Sequence, residues 1–285
     1  MNGSPTTLRW LITGASSGLG RALAEHVLDR GHTVVGTLRR ADEAAEFEEL
    51  APGRSLALVL DLNDKAALSG VVGRAAARAG GLDVLVNNAG YSLVGAVEET
   101  SLAEAAQIMD TNFFAPMQLT QAVLPLFREQ GHGFVVNIAS VASTIGYPWT
   151  AMYSASKSAL AAWSDALAAE VAGFGVRVTC VEPGGLRTRF AGPSLRSAAG
   201  SLPAYADAVT AVKRRYAAAA DHMPNDPALA AAVISDLVER DQPPIRLALG
   251  ADAHGYLTDA LQQRIADYAR HRDRCTDTAP RKALT

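Results

Sequence analysis

Short apolar segments alternate with longer amphipathic segments along the first two thirds of the chain. Six such segments, rich in β-branched residues, occupy residues 8–13, 33–38, 55–62, 84–89, 134–140 and 176–183. They are apolar at nearly every position, which is typical of parallel strands whose two faces are both covered by helices. Because segments with helical periodicity separate them, the sequence predicts parallel strands joined by crossover helices. The predicted fold class is therefore α/β, with a doubly wound, mostly parallel sheet as the middle of three layers.

The remaining segments complete a single predicted domain over residues 1–285. Periodicity predicts helices at 18–30, 64–79, 102–130, 152–173, 203–220, 226–240 and 253–272, and the apolar run 245–250 supplies a seventh strand. Residues 186–225 carry several glycines and prolines and follow the sixth strand, where an open sheet of this Rossmann type has its ligand crevice. We therefore expect residues 186–225 to form a substrate lid and residues 273–285 to form a disordered tail.

The composition limits the classes of function. A formal net charge of -3 over 285 residues gives no basic surface for nucleic acid or for an anionic membrane, so the expected partner is a small molecule. No run of about 18 apolar residues could span a bilayer, and residues 1–7 lack the pattern of a signal peptide, so we expect a cytoplasmic protein. The two cysteines, Cys180 and Cys275, form no disulfide framework, and the six histidines show no metal-ligand spacing, so no metal site is predicted.

A glycine-rich loop joins the first predicted strand to the first predicted helix. Within its sequence TGASSGLG, the residues predicted to approach a ligand are Gly14, Ser16, Ser17, Gly18, Leu19 and Gly20. Glycines at this spacing allow a tight turn and let backbone N–H groups approach a pyrophosphate, whose negative charge the helix N-terminus stabilises. Because the loop lies between a strand and a helix, it predicts a dinucleotide-binding site.

The spacing of this loop is GxxxGxG, and TGASSGLG resembles the cofactor loop of the classical short-chain dehydrogenase/reductase family. The resemblance extends over about residues 12–188, through NNAG at 87–90, Asn112, Ser140, YSASK at 153–157, and Pro183-Gly184 followed by Thr188. The segments VEPGGLRTRF, NDPALAA and PPIRLALGADA also resemble a branch of that family likened to 17β-hydroxysteroid dehydrogenases. The resemblance implies hydride transfer between a nicotinamide dinucleotide and a carbonyl or alcohol.

Four residues are predicted to be catalytic: Asn112, Ser140, Tyr153 and Lys157. Reduction of a carbonyl by hydride leaves an alkoxide that needs a proton, and Tyr153 is expected to be the general acid/base that exchanges it. Lys157 lies four residues later, so on a helix the two side chains share a face, and its ammonium is expected to lower the pKa of the phenol. Ser140 ends the fifth strand and is expected to hold the substrate oxygen. The resemblance implies that Asn112 positions a water that links Lys157 to solvent.

The resemblance also implies which residues hold the cofactor. Asn88, Ala89 and Gly90 would pass under the adenosine ribose, Asp61 would accept a hydrogen bond from the adenine amino group, and Asn87 would tie neighbouring strands together. Thr188 and the backbone near Leu186 are the family positions for the nicotinamide carboxamide. Besides the glycine loop, the predicted cofactor-binding residues are Arg39, Asp61, Leu62, Asn88, Ala89, Gly90, Tyr153, Lys157, Pro183, Gly184, Leu186 and Thr188.

The end of the second strand bears on which nicotinamide cofactor is bound. An NAD site normally has a carboxylate about 20 residues past the glycine loop, where it contacts the ribose 2′-hydroxyl. Here the strand ends in Thr37, Leu38, Arg39 and Arg40, with no acidic residue. The guanidinium of Arg39 is suited to a 2′-phosphate, and Ser17 adds a hydroxyl. The sequence therefore favours NADP(H) over NAD.

Substrate-binding residues are predicted at Ser140, Ala142, Tyr147 and Tyr153. These side chains and their neighbours are mostly apolar or aromatic, which favours a carbonyl or alcohol with a hydrophobic body. Arg187 and Arg189 are the cations considered as a clamp for an anionic substrate, and they are interpreted as solvated residues of the lid.

Two other classes of function remain open at this point. One is a catalytically silent NADP-binding sensor or scaffold, which the retention of all four predicted catalytic residues disfavours. The other is an epimerase or dehydratase that keeps its cofactor captive, which the short substrate region after residue 186 disfavours. The long helices at 102–130 and 152–173 have more apolar surface than one sheet face would cover, so we also expect a homodimer or homotetramer.

Overall fold

A seven-stranded parallel sheet forms the centre of the protein in a computed structural model, which describes residues 7–188 and 194–275. The strands in chain order are β1 Arg9–Thr13, β2 Thr33–Leu38, β3 Ser55–Val59, β4 Val84–Asn87, β5 Ser92–Val94, β6 Gly133–Ile138, β7 Val176–Pro183, β8 Leu195–Ser197 and β9 Arg246–Leu249. The sheet order is β3-β2-β1-β4-β6-β7-β9, and every pairing in it is parallel. The predicted doubly wound α/β fold is confirmed.

Helices cover both faces of this sheet. In chain order they are α1 Gly18–Asp29, α2 Asp42–Glu48, α3 Lys65–Leu68, α4 Val71–Ala79, α5 Leu102–Met109, α6 Ala115–Gln130, α7 Ala151–Val171, α8 Ala206–Ala219, α9 Pro227–Glu239, α10 Ala251–Arg270 and α11 Arg272–Cys275. Successive strand residues point to opposite faces, so Trp10 packs with α1 and α9 whereas Leu11 packs with α4, α6 and α7. This arrangement gives the three predicted layers. Among the described residues, no helix has the length and apolar character needed to cross a bilayer.

Some predicted boundaries are wrong in detail. The helix predicted at 64–79 is divided into α3 and α4 at Gly70, whose φ of 77° is left-handed. The helix predicted at 102–130 contains a π-helical turn over Asp110–Phe114, between α5 and α6. The third strand ends at Val59, three residues early. Helix α2 was not predicted, and the predicted tail at 273–285 lies mostly outside the described residues.

A small second sheet was also missed. Strands β5 and β8 pair in parallel, so that Leu93 lies opposite Arg196. Each strand has three residues, which is too short for a periodic pattern to be recognised. Strand β8 and helix α8 lie within the predicted lid segment, whose residues 189–193 are outside the described part of the chain.

The strand order brings the predicted site residues together. Chain order runs in one direction from β1 through β2 to β3, and in the opposite direction from β4 through β6 and β7 to β9. A crevice forms at such a switch point, outside the carboxyl ends of the strands. The loops that follow β1, β4, β6 and β7 all begin at this edge, because the strands are parallel.

Candidate active site

A cavity of about 560 Å³ lies at this edge of the sheet. The predicted site residues that line it are Gly14, Ser16, Ser17, Gly18, Leu19, Arg39, Asp61, Leu62, Asn88, Ala89, Gly90, Ser140, Ala142, Tyr147, Tyr153, Lys157, Pro183, Gly184, Leu186 and Thr188. Gly20 and Asn112 are the two predicted residues that do not line it. One continuous crevice therefore contains both the predicted cofactor residues and the predicted catalytic residues.

The glycine loop forms a tight turn whose backbone conformation and packing require glycine at three positions. Gly14 and Gly18 have φ values of 68° and 60°, in the left-handed region that glycine adopts without strain. A Cβ on Gly20 would lie 2.3 Å from the carbonyl oxygen of Gly14, so Gly20 packs beneath the loop. Ser17 precedes α1 in extended conformation and makes no side-chain capping bond. The backbone N–H groups at the start of α1 are thus left to an anionic ligand.

Hydrogen bonds that Thr13 accepts join this loop to the loop after β4. The Thr13 hydroxyl accepts from the backbone N–H groups of Asn88, at 2.9 Å, and Ala89, at 3.0 Å. The Asn88 side-chain amide donates to the carbonyl of Thr13 at 2.8 Å. Asn87 donates at 2.8 Å to Asn137 on the neighbouring strand β6. The structure therefore gives Asn88 a bracing contact that the sequence did not predict, and Thr13 was missed although it begins the TGASSGLG motif.

The side chains at the β2 and β3 end of the cavity differ in their engagement. Arg39 is exposed and forms no ion pair with any described residue, whereas its neighbour Arg40 pairs with Asp42. The exposed carboxylate of Asp61 accepts from the backbone N–H of Asn63 at 2.9 Å and from its side-chain amide at 3.1 Å. Arg39 is therefore available to a ligand phosphate, while Asp61 is already partly engaged.

Ser140, Tyr153 and Lys157 converge at the other end. Ser140 follows β6, and its hydroxyl accepts from the backbone N–H of Ala142 at 3.1 Å, so it caps the short 3-10 turn Val141–Ser143. The same hydroxyl is hydrogen-bonded to the phenol of Tyr153 on α7. Lys157 is buried, one helical turn further along α7, and its ammonium donates to the carbonyl of Ile138 at 2.7 Å. Ser140 therefore both caps this turn and forms a hydrogen bond with Tyr153.

The protonation of these groups differs from the sequence-based expectation. Burial raises the pKa of Tyr153 to about 12, although the hydrogen bond from Ser140 opposes part of that rise. Burial also lowers the pKa of Lys157 to about 8. Desolvation disfavours the charged form of each group, and the expected lowering of the phenol's pKa by the Lys157 ammonium is not among the causes of the shift. Tyr153 is therefore protonated at neutral pH.

Asn112 lies in the π-helical turn and is completely buried. Its amide donates to the carbonyl of Tyr91 at 2.9 Å and to the Ser156 hydroxyl at 3.0 Å, and its oxygen accepts from the backbone N–H of Tyr91 at 3.1 Å. A Cβ on Gly90 would lie 3.0 Å from the Asn112 oxygen and 3.3 Å from the Lys157 ammonium. Asn112 and Lys157 thus both lie close to Gly90, with Lys157 lining the cavity and Asn112 outside its lining.

Two residues that the sequence did not single out hold the loop after β7. Asp252 accepts from the backbone N–H of Gly185 at 2.8 Å and from the Asn225 side chain at 2.7 Å. The amide of Asn225 also donates to the Gly185 carbonyl at 2.9 Å. Asn225 and Asp252 lie in the NDPALAA and PPIRLALGADA segments, so the resemblance of those segments was the available signal.

The cations at the cavity wall also differ from those considered from the sequence. Arg187 pairs with Asp226 at 3.4 Å, and Arg189 is outside the described residues. Arg196 on β8 and Arg215 on α8 line the cavity instead.

Comparison with known proteins identifies close resemblances. The family model described as short chain dehydrogenase matches residues 9–198. A short-chain dehydrogenase from Streptomyces avermitilis has a crystal structure that matches with a TM-score of 0.89 and 40% identity, over 97% of this chain and 100% of that one. A 3-ketodihydrosphingosine reductase from Bacteroides thetaiotaomicron is 33% identical over 261 residues, 89% of this chain and 94% of that protein. A serine dehydrogenase structure complexed with NADP+ matches with a TM-score of 0.73 and 26% identity, over 84% of this chain and 93% of that one.

Proposed function

The chain belongs to the short-chain dehydrogenase family, and on that premise we propose that it is an NADP(H)-dependent oxidoreductase. The proposed reaction interconverts a ketone or aldehyde and the corresponding alcohol by hydride transfer. The observation that carries this proposal is the convergence of Ser140, Tyr153 and Lys157 on the cavity that the glycine loop also lines.

The residues around the crevice fit a dinucleotide. The N-terminus of α1, with left-handed glycines at 14 and 18, suits a pyrophosphate, and Leu186 and Thr188 would hold the nicotinamide carboxamide. A bound nicotinamide supplies the hydride in reduction and accepts it in oxidation. Preference for NADP(H) rests on Arg39, whose guanidinium forms no ion pair with the described residues and would contact the 2′-phosphate with help from the Ser17 hydroxyl.

The chain's own residues would manage the substrate oxygen and its proton. The Ser140 hydroxyl, which is hydrogen-bonded to the Tyr153 phenol, would turn its hydrogen to the substrate oxygen as negative charge develops there. Tyr153 would donate its phenolic proton to that oxygen in reduction. We propose that Lys157, with Asn112 behind it, then returns a proton to the phenol.

The test is consumption of NADPH with a panel of ketones and aldehydes, using Tyr153→Phe as the matched variant. General acid catalysis contributes about 10²- to 10⁴-fold, so we expect kcat to fall by about that factor. The phenylalanine variant should still bind NADPH in a fluorescence titration, which shows that the cofactor site remains folded. Full activity of Tyr153→Phe on an accepted substrate would refute the mechanism, and inactivity of the wild-type protein on every carbonyl would favour a sensor or scaffold.

We also propose a homodimer or homotetramer assembled through α5, α6 and α7, and a lid formed by residues 186–225. The exposed side chains of Leu102 on α5 and Phe114 in the π-helical turn, 90% and 39% exposed, support a contact there. Light scattering after size-exclusion chromatography would measure the assembly. A Phe114→Asp variant should shift it towards monomer.

A further inference from the structure

Besides Arg39, two arginines line the cavity that contains Tyr153: Arg196 on β8 and Arg215 on α8. The guanidinium of Arg196 lies over the ring of Tyr91, 4.2 Å from its centroid. Tyr91 in turn packs in one apolar cluster with Tyr153. The cation is therefore held by a stacking contact next to the residue that is proposed to exchange the proton.

Arg215 approaches the same region from another element. Arg215 is exposed, and its guanidinium carbon lies 5.9 Å from the centroid of the Tyr216 ring. Both residues line the cavity. Burial raises the pKa of Tyr147 on the opposite loop, and the positive charge of Arg215 partly opposes that rise. Arg215 is thus close enough to act electrostatically on a predicted substrate-binding residue.

Acidic side chains near this end of the cavity bind other groups, although the charge of Asp252 acts on the pKa of Tyr147 in the opposite sense to that of Arg215. Within the described residues, neither Arg196 nor Arg215 forms an ion pair. Asp61 lines the cavity near Arg39, and Asp252 already accepts from Gly185 and Asn225.

The acids nearest to Tyr91 are also engaged elsewhere. Glu104 influences Tyr91, but its oxygens accept from the backbone N–H groups of Ser101 and Ala199. Asp110 pairs with Lys65 at 3.5 Å. The substrate end therefore has two guanidinium groups with ten N–H donors between them, and guanidinium forks match carboxylate geometry.

We propose that the substrate carries a carboxylate, which Arg196 and Arg215 bind while the carbonyl lies at Ser140 and Tyr153. This inference rests on the proposed function and specifies its substrate class. Apolar and aromatic residues that line the same cavity, such as Ala142 and Tyr147, then contact the hydrophobic body that links the carboxylate to the carbonyl.

The experiment uses straight-chain methyl ketones that end in a carboxylate, in a series of increasing chain length, and the matching primary amides. A primary amide has the shape of a carboxylate without its charge, so the acid-to-amide ratio of kcat/KM isolates the effect of the charge. At the best chain length we expect the acid to be preferred by about 10- to 100-fold. Arg196→Gln should remove most of this preference, and the exposed Arg215→Gln a smaller part, because kcat/KM falls more for the acids than for the amides.

Arg214→Gln is the matched control, because Arg214 is exposed on the same helix and does not line the cavity. It should keep the wild-type ratio. Arg196→Lys keeps the charge without the planar fork and should retain part of the preference, which separates loss of charge from disturbance of Tyr91. Equal turnover of acids and amides, or a preference that survives both glutamine substitutions, would overturn the inference while leaving the proposed function intact.

Calorimetry on the NADP+-saturated protein tests the same point without turnover, using saturated fatty carboxylates and their amides as ligands. Tighter binding of the carboxylates that depends on Arg196 would support the inference, and equal binding would overturn it. Absence of reduction with every ketone would overturn the proposed function instead, so the two failures are distinguishable.

Discussion

The selection of NADP(H) over NAD(H) depends on one exposed side chain and can be tested with a matched pair of variants. Arg39 lines the cavity and forms no ion pair with the described residues, so Arg39→Gln removes no internal contact. Arg40, its neighbour, does not line the cavity and pairs with Asp42. Arg40→Gln therefore removes the same charge one residue away from the expected phosphate.

The size of the effect follows from the exposure of Arg39. A hydrogen bond to a charged group contributes about 1.5–3 kcal/mol, and solvent screening of an exposed pair reduces this to about 1–2 kcal/mol. At about 1.4 kcal/mol per factor of ten, the kcat/KM for NADPH should fall by roughly 5- to 30-fold. The value for NADH should stay unchanged, because NADH has no 2′-phosphate.

The assay compares initial rates with NADPH and NADH for one accepted carbonyl substrate. A ratio of kcat/KM values that is unchanged in Arg39→Gln, or that changes equally in Arg40→Gln, would refute the assignment. A Thr37→Asp substitution, which would add an acid to β2 two residues before Arg39, is unsuitable as a test. Thr37 is buried, and its hydroxyl accepts from the backbone N–H of Gly14 at 3.2 Å, so a carboxylate there would disturb the glycine loop itself.

Three further results are expected. The kcat/KM for carbonyl reduction should fall as pH rises through about 8, because burial lowers the pKa of Lys157 to about 8 and its ammonium is present only below that pH. A kcat/KM profile that stays level well above pH 8 would contradict this prediction. Asp252→Ala should raise the Kd for NADPH by about 5- to 100-fold in a fluorescence titration, since it leaves the Gly185 and Asn225 donors without an acceptor; an unchanged Kd would disprove the bracing role. Gly20→Ala should lower the Tm and abolish NADPH binding, because its Cβ would lie 2.3 Å from the carbonyl oxygen of Gly14. The control Gly73→Ala, in open space within α4, should raise the free energy of unfolding by about 0.5–1 kcal/mol. Equal Tm values for the two variants would be inconsistent with this packing.

The sequence predicts the sheet well because its strands are buried on both faces. β2 and β7 have the predicted bounds, since each is buried at nearly every position and is bounded by a turn. The loop from Gly14 to Gly20 is equally readable, because its left-handed glycines and its packing depend on local backbone geometry. Local constraints of this kind leave a pattern in the sequence.

Contacts between distant segments leave no such pattern. Asp252 reaches Gly185 across 67 residues, and Arg196 faces the cavity because a three-residue strand pairs with Ser92–Val94. Neither contact follows from periodicity or from turn chemistry. The sequence therefore predicted many of the residues that line the crevice, but not Arg196 and Arg215, which line it as well.

The protonation of Tyr153 is a further property that spacing alone does not determine. Lys157 lies four positions after Tyr153, which places both side chains on one helix face, but the surrounding protein also withdraws buried Lys157 and half-buried Tyr153 from water. Burial holds the phenol protonated and makes the lysine easier to deprotonate. Tyr153 thus begins in the state that donates a proton, as reduction requires, whereas oxidation requires it first to lose that proton against a raised pKa. The pair is therefore better prepared at neutral pH for reduction of a carbonyl than for oxidation of an alcohol.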